Sequence, residues 1–161
     1  MQRVVVLGRG GAGKSTAAER LGVLTGLPVV ELDRHFWNSD LTPMPAREWI
    51  QVQEGLAARP RWIMDGDLGQ YDVLSPRLVA ADTVLVLDFS LVRCIWRAAR
   101  RSRERADFWW WVLWWRYRSR PALLQAVATY APTADLRILR HPRALQRLCA
   151  QIEAASPDRR T

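Results

Sequence analysis

The chain has 161 residues, 49% of them hydrophobic and 25% charged, with 24 basic side chains against 16 acidic ones. That length and balance suit one domain with a hydrophobic core of its own, and they exclude a disordered, collagenous or disulfide-stapled protein. The two cysteines, Cys94 and Cys149, lie far apart with no ligand-like spacing. They therefore read as buried thiols in a reducing cytosol rather than as a zinc or redox motif.

Residues 3–7 (RVVVL) read as a buried strand, and 15–25 as a helix stopped by Gly26 and Pro28. Residues 29–32 read as a second strand. Pro43 and Pro45 precede a helix over 46–58, with Trp49, Val52 and Leu56 on one face. Residues 61–64, 83–87 (TVLVL) and 136–139 (LRIL) supply three more strands; one helix starts near Leu91 and another follows Pro142. This alternation implies an α/β fold, with a parallel sheet covered on both faces and right-handed crossovers. The longest apolar run, 108–115, has eight residues, against about 20 needed to cross a bilayer. The run at 4–7 is too short for a secretory signal. A soluble, cytoplasmic protein is expected.

The formal net charge is +8, which by itself suggests a nucleic-acid or anionic-membrane partner. Its distribution is uneven. Residues 93–120 carry nine arginines against Glu104 and Asp107, a net +7, so the rest of the chain is nearly neutral.

Directly after the first strand comes Gly8-Arg9-Gly10-Gly11-Ala12-Gly13-Lys14-Ser15-Thr16, which matches G-x-x-x-x-G-K-[ST] between a strand and a helix. The glycines let backbone N–H groups turn inward around a polyphosphate, and the helix adds its positive end. Residues Gly10 to Thr16 are thus the candidate ATP cradle, with Lys14 on the β and γ phosphates and the Ser15 hydroxyl on Mg²⁺. Lys14 is the chain's only lysine; the other 23 cations are arginines. Lysine is kept at the one place where a planar guanidinium is too wide.

In a parallel sheet the ligand lies beyond the carboxyl ends of the strands. Asp33, after the second strand, and Asp65, after the third, should therefore face the bound phosphates. Asp88 also ends a strand, but Phe89 and Ser90 after it suggest a helix cap. Trp37 reads equally as a stacking surface for an acceptor ring and as packing.

Together these motifs resemble the adenylate-kinase-like P-loop small kinases, most closely the bacterial DNA topology modulation (FlaR-type) proteins. The shared pattern is GxGGxGKST, LTGLPVVELDRHFW over 24–37, WIMDGDL from Trp62, and RLVAADTVLVLD over 77–88, followed by arginines. The resemblance covers residues 1 to about 101 and weakens beyond. It implies a P-loop NTPase fold with strand order 2-3-1-4-5 and a single kinase domain over 1–161. It also implies an Arg/Trp-rich lid-like insertion over about 93–120, MgATP on the loop, and an acceptor between strands 2 and 3. It further implies that Asp65 holds Mg²⁺ with Ser15, that Asp33 binds the acceptor and takes its proton, and that Arg97 and Arg101 clamp the transferring phosphoryl group.

Nucleoside-monophosphate kinases place an arginine after the Asp-Gly pair to grip the acceptor's phosphate; here Asp67 follows Gly66. An acid there disfavours an anionic acceptor and points to a hydroxyl, although Arg34, Arg47 or Arg77 remain candidate phosphate contacts. The stretch 108–115 is apolar all round at helical spacing, so burial under the lid or in a homodimer is expected, ahead of an interfacial membrane helix. The expected activity is transfer of the γ-phosphoryl of MgATP to a small-molecule acceptor, hydroxyl preferred and nucleotide possible. The alternative is an ATP-binding regulator that binds nucleic acid through the arginine segment.

Overall fold

Val4, Val5, Val6 and Leu7 are apolar on both faces of a pleated segment, so the strand they form can be stable only in the interior of a sheet. In the computed structural model, which describes residues 1–40, 42–101 and 106–155, all four are fully buried. The strand β1 (Arg3–Gly8) lies at the centre of a five-stranded parallel sheet. Its neighbours are β3 (Trp62–Asp65) and β4 (Thr83–Leu87), with β2 (Val29–Glu31) and β5 (Asp135–Leu139) at the edges. The order β2-β3-β1-β4-β5 is the expected one, and the fold is the α/β P-loop NTPase fold read from the sequence.

Helices cover both faces. One core cluster packs α3 (Ala46–Ala57), α4 (Ser75–Ala80) and α7 (Ser119–Tyr130) on the sheet through Trp49, Leu56, Leu78, Leu123 and Val127. The other packs α1 (Lys14–Thr25), Cys94 of α5 (Leu91–Arg101) and α8 (Pro142–Ala154) through Ala17, Leu21 and Leu148. Both cysteines are buried free thiols.

Three local differences from the sequence reading have physical causes. The second strand stops at Glu31, and Leu32–Phe36 turn into a short helix, α2, because Leu32 and Phe36, one turn apart, both bury completely. Helix α7 was not among the expected elements; its buried face is only Leu123 and Val127, too sparse a period to read. The helix α6 (Ala106–Trp114) was expected to be buried under the lid or in a homodimer, and within this single chain the first holds only in part. Val112, with Trp115 just beyond the helix, enters the core, while Trp110, Leu113 and Trp114 face outward.

Arg77 is a fourth correction. It was a candidate acceptor contact, yet its side chain is completely buried within the fold. Its guanidinium makes a two-pronged pair with Asp72, donates to Gln53 Oε1 at 2.6 Å, and reaches the Gly66 carbonyl at 3.4 Å. It ties α3, α4 and the turn after β3 together, which leaves no face for a ligand. Arg77→Ala strands the Asp72 carboxylate and Gln53 in the interior, and should cost about 3 kcal/mol or more of stability, measured by the shift of the urea-unfolding midpoint.

Candidate active site

The phosphate loop starts where β1 ends. Gly11 and Gly13 have φ of 76° and 89°, the left-handed region that side chains avoid. Space enforces the same choice: a Cβ on Gly11 would lie 2.3 Å from the Cys94 carbonyl oxygen of α5. Helix α1 begins at Lys14 with no side-chain cap and no acid in its first turn, so its positive end stays available to an anion. Lys14 Nζ donates to the Gly8 carbonyl at 3.0 Å, which holds the ammonium across the loop.

Helix α5 closes the loop from above. Arg97 lies against it: a Cβ on Gly13 would stand 3.1–3.3 Å from three atoms of the Arg97 guanidinium. Arg97 therefore places a positive charge directly beside the glycine that precedes Lys14. Arg101 ends α5, and its side chain lies outside the described residues, as do residues 102–105.

The acidic side is built by register. Asp65 pairs with Glu31 and with Val6, so β2 and β3 end level, two residues before the end of β1 at Gly8, and all three chains leave the sheet at the same edge. Asp65 is buried and hydrogen-bonds Ser15, but its Oδ1 has no partner among the described residues. Burial pushes its carboxyl up, against the pull of Ser15 and Lys14. A buried orphan oxygen next to a hydroxyl is a donor set that suits Mg²⁺, which uses few protein ligands and keeps several waters. Ser15 and Asp65 therefore fit the ion expected of them.

Asp33 sits in the first turn of α2. Its surface is exposed to solvent, yet desolvation by the surrounding chain raises its carboxyl, Lys14 lowers it, and Asp65, Asp72 and Asp67 raise it further. Trp37 follows at the end of α2, with its ring edge-on to Phe36 at 5.0 Å and to Tyr71 at 6.2 Å. Trp37 and Tyr71 are both well exposed, so they form an aromatic wall on this side.

The residues between the two sides were not legible in the sequence. Trp115 is fully buried; its indole N–H donates to Asp67 Oδ2 at 3.4 Å, and its ring carries the Arg9 guanidinium at 5.3 Å. One side chain thus bridges the phosphate loop and the turn after β3. Asp67 also accepts from the Gly69 N–H at 3.1 Å, and burial raises its carboxyl. Arg9 itself is buried, and burial lowers its pKa.

Asp88, read as a helix cap, is instead an ion-pair partner: Arg120 Nε lies 3.0 Å and an Arg116 nitrogen 3.7 Å from its Oδ2. Two of the nine segment arginines are therefore fastened to the end of β4. The signal in the sequence was present but silent, since no spacing rule links residue 88 to residue 120.

A groove of about 570 Å³ opens beyond β5, lined by Ile138, Arg140, His141, Arg143, Ala144 and Arg147. Gly8 pairs with Leu87 and Leu87 with Leu139, so the groove is two strands from the phosphate loop, about 10 Å across the sheet. His141 caps α8 by accepting from the Arg143 N–H at 3.3 Å.

Asp33 supplies a test of these electrostatics. Its folded pKa is raised above the ordinary 3.8, so the folded state takes up a proton before the unfolded chain does, and ionised Asp33 opposes folding at neutral pH. Asp33→Asn should therefore raise the urea midpoint at about pH 7.5, and the gain should close as pH falls through the raised value toward 3.8. Urea titrations of both proteins across that range check the sign.

No protein-family model matches this chain, and no curated protein matches it. Among solved structures it is similar to a shikimate kinase from Acinetobacter baumannii in complex with shikimate (TM-score 0.57, 16% identity, covering 100% of this chain and 96% of that one). It is also similar to a sugar kinase from Janibacter sp. HTCC2649 (TM-score 0.55, 18% identity, 97% and 92% covered). A third is a deoxyadenosine kinase from M. mycoides with bound dCTP (TM-score 0.52, 14% identity, 94% and 98% covered). At these identities the similarity shows the fold, which is that of the P-loop small-molecule kinases.

Proposed function

We propose that the protein is a kinase that moves the γ-phosphoryl of MgATP to a hydroxyl group of a small molecule. The observation that carries this is the crevice itself: a phosphate loop with Lys14 and Arg97 on one wall, and Asp65 and Asp33 on the other. A closer kinship with the DNA topology modulation proteins, a single kinase domain over 1–161 with a lid over about 93–120, and a cytosolic location belong to the same reading.

Phosphoryl transfer asks the protein for positioning and charge neutralisation rather than covalent chemistry. The backbone N–H groups of residues 10–16 hold the phosphates, and Lys14 reaches the β and γ groups. Ser15 and Asp65 would hold Mg²⁺, which when bound would supply charge neutralisation for the phosphates. Arg97, with Arg101 as its expected partner, stabilises charge on the moving group. Asp33 orients the acceptor hydroxyl and accepts its proton; desolvation, which raises its affinity for a proton, suits it to that task. The nucleoside end of the donor extends toward the groove at Arg140 and Arg143, where guanidinium planes stack on a base.

The choice of a hydroxyl acceptor without a phosphate rests on the arginines of this side. Arg77 is buried against Asp72, and Arg34 pairs with Glu31 at 2.9 Å. Only Arg47 of the three candidates has no ion pair among the described residues. The Trp37 and Tyr71 rings favour an acceptor with a ring, either neutral or cationic beside the carboxylates.

Lys14→Arg keeps the charge but should abolish turnover, and Asp33→Asn should lower kcat by roughly 10²–10⁴-fold. Coupled ADP release, screened over nucleosides, nucleotides, sugars and aminoglycosides, reads both variants and identifies the acceptor. Full activity in Lys14→Arg, or a nucleoside monophosphate as the best acceptor, contradicts the assignment.

A further inference from the structure

We infer that the outward face of α6 is a docking surface for an anionic lipid bilayer. The apolar stretch was expected to hide, and it does so only in part. Trp110 is 60% exposed, Leu113 and Trp114 are each 42% exposed, and Tyr117 is 76% exposed. These four residues follow one another along the outer side of α6 and the turn after it, while Val112 and Trp115 anchor the opposite side in the core. A contiguous apolar face this large on a described surface marks an interaction site.

Charge identifies the occupant. After Asp107 at the start of α6 the next acid is Asp135, and Arg118 follows the apolar face directly, flanked by Arg116 and Arg120, which pair with Asp88. Exposed Arg118 lies over the Trp114 ring at 5.8 Å, and Arg116 is 57% exposed. On the adjoining helix α5, Arg100 covers the exposed Trp96 at 4.4 Å. Tryptophan and tyrosine rings at headgroup depth, an aliphatic side chain below them, and arginines on lipid phosphates form the pattern of an interfacial helix. No described helix is long and apolar enough to cross a membrane, so the contact is with the surface.

Two other occupants fit less well. A second copy of the chain seated symmetrically on this face would set Arg118 and Arg100 against their own counterparts, with Asp107 the one acid in the sequence of α6. Single-stranded nucleic acid needs open ring faces on which bases stack. Here Trp110 and Trp114 pack on each other at 5.5 Å, Trp114 and Tyr117 meet edge-on at 6.3 Å, and Arg118 covers Trp114.

The test is sedimentation of the full chain with phosphatidylcholine vesicles, with and without phosphatidylglycerol. The expected result is pelleting with the anionic vesicles only, weakened by salt. Trp110→Ser with Trp114→Ser should weaken it at least about tenfold, and Arg118→Gln about fivefold, with far-UV circular dichroism unchanged. Should the double variant not fold, Trp110→Ser alone and Arg118→Gln carry the test. Wild-type protein left in the supernatant with anionic vesicles overturns the proposal, as does equal pelleting by the variants. So does a dimer in sedimentation velocity, or an oligonucleotide complex without lipid binding, that these same substitutions dissolve.

Discussion

The close approach of α5 to the phosphate loop is the constraint from which the rest of the site follows. A peptide carbonyl, that of Cys94, sits where any side chain on Gly11 would have to go. The glycine is therefore required twice, by its backbone angle and by the helix above it. That contact brings Arg97 onto Gly13, while Arg93, Arg100, Arg116 and Arg118 stay exposed. Without it the loop would keep its glycine turn, but Arg97 would have no fixed position beside it.

Around this contact, charge is sorted in space more sharply than along the chain. The acceptor side gathers Asp33, Asp65 and Asp67, each with its carboxyl raised first of all by desolvation. The opposite side gathers Arg97 above the loop and the arginines beyond β5. Of the three, Asp65 is buried, Asp67 is half-buried and Asp33 is exposed, so a cost of ionisation falls mainly on Asp65. Trp115 lies between the two sides, in contact with Arg9 of one and Asp67 of the other. Part of the Trp-rich stretch thus packs between the phosphate loop and the turn after β3.

The strands and the phosphate loop were legible because each depends on local pattern, runs of β-branched residues and glycines at fixed offsets; the strand order came from the family resemblance, and of the two aspartates Asp65 ends its strand while Asp33 lies in α2. Arg77 and Asp88 were misread for the complementary reason. Nothing near Arg77 in sequence says that Gln53, 24 residues away, will bury it, and nothing near Asp88 announces Arg120, 32 residues on. The stretch 108–115 has the same limit. Uniform apolarity implies burial only when neighbours surround the helix, and here the sheet and its helices cover one side.

The sequence by itself determined the architecture and the identity of the phosphate loop, since a glycine-rich turn ending in the chain's one lysine has a local physical reason for each residue. The tertiary structure decided which charges remain available. It fastened Arg77, Arg116 and Arg120 to aspartates, kept Arg97 at the loop, and left Asp65 with an unpartnered oxygen beside Ser15. The reason is that pairing and desolvation depend on distances between residues remote in sequence, and only the folded chain sets those distances.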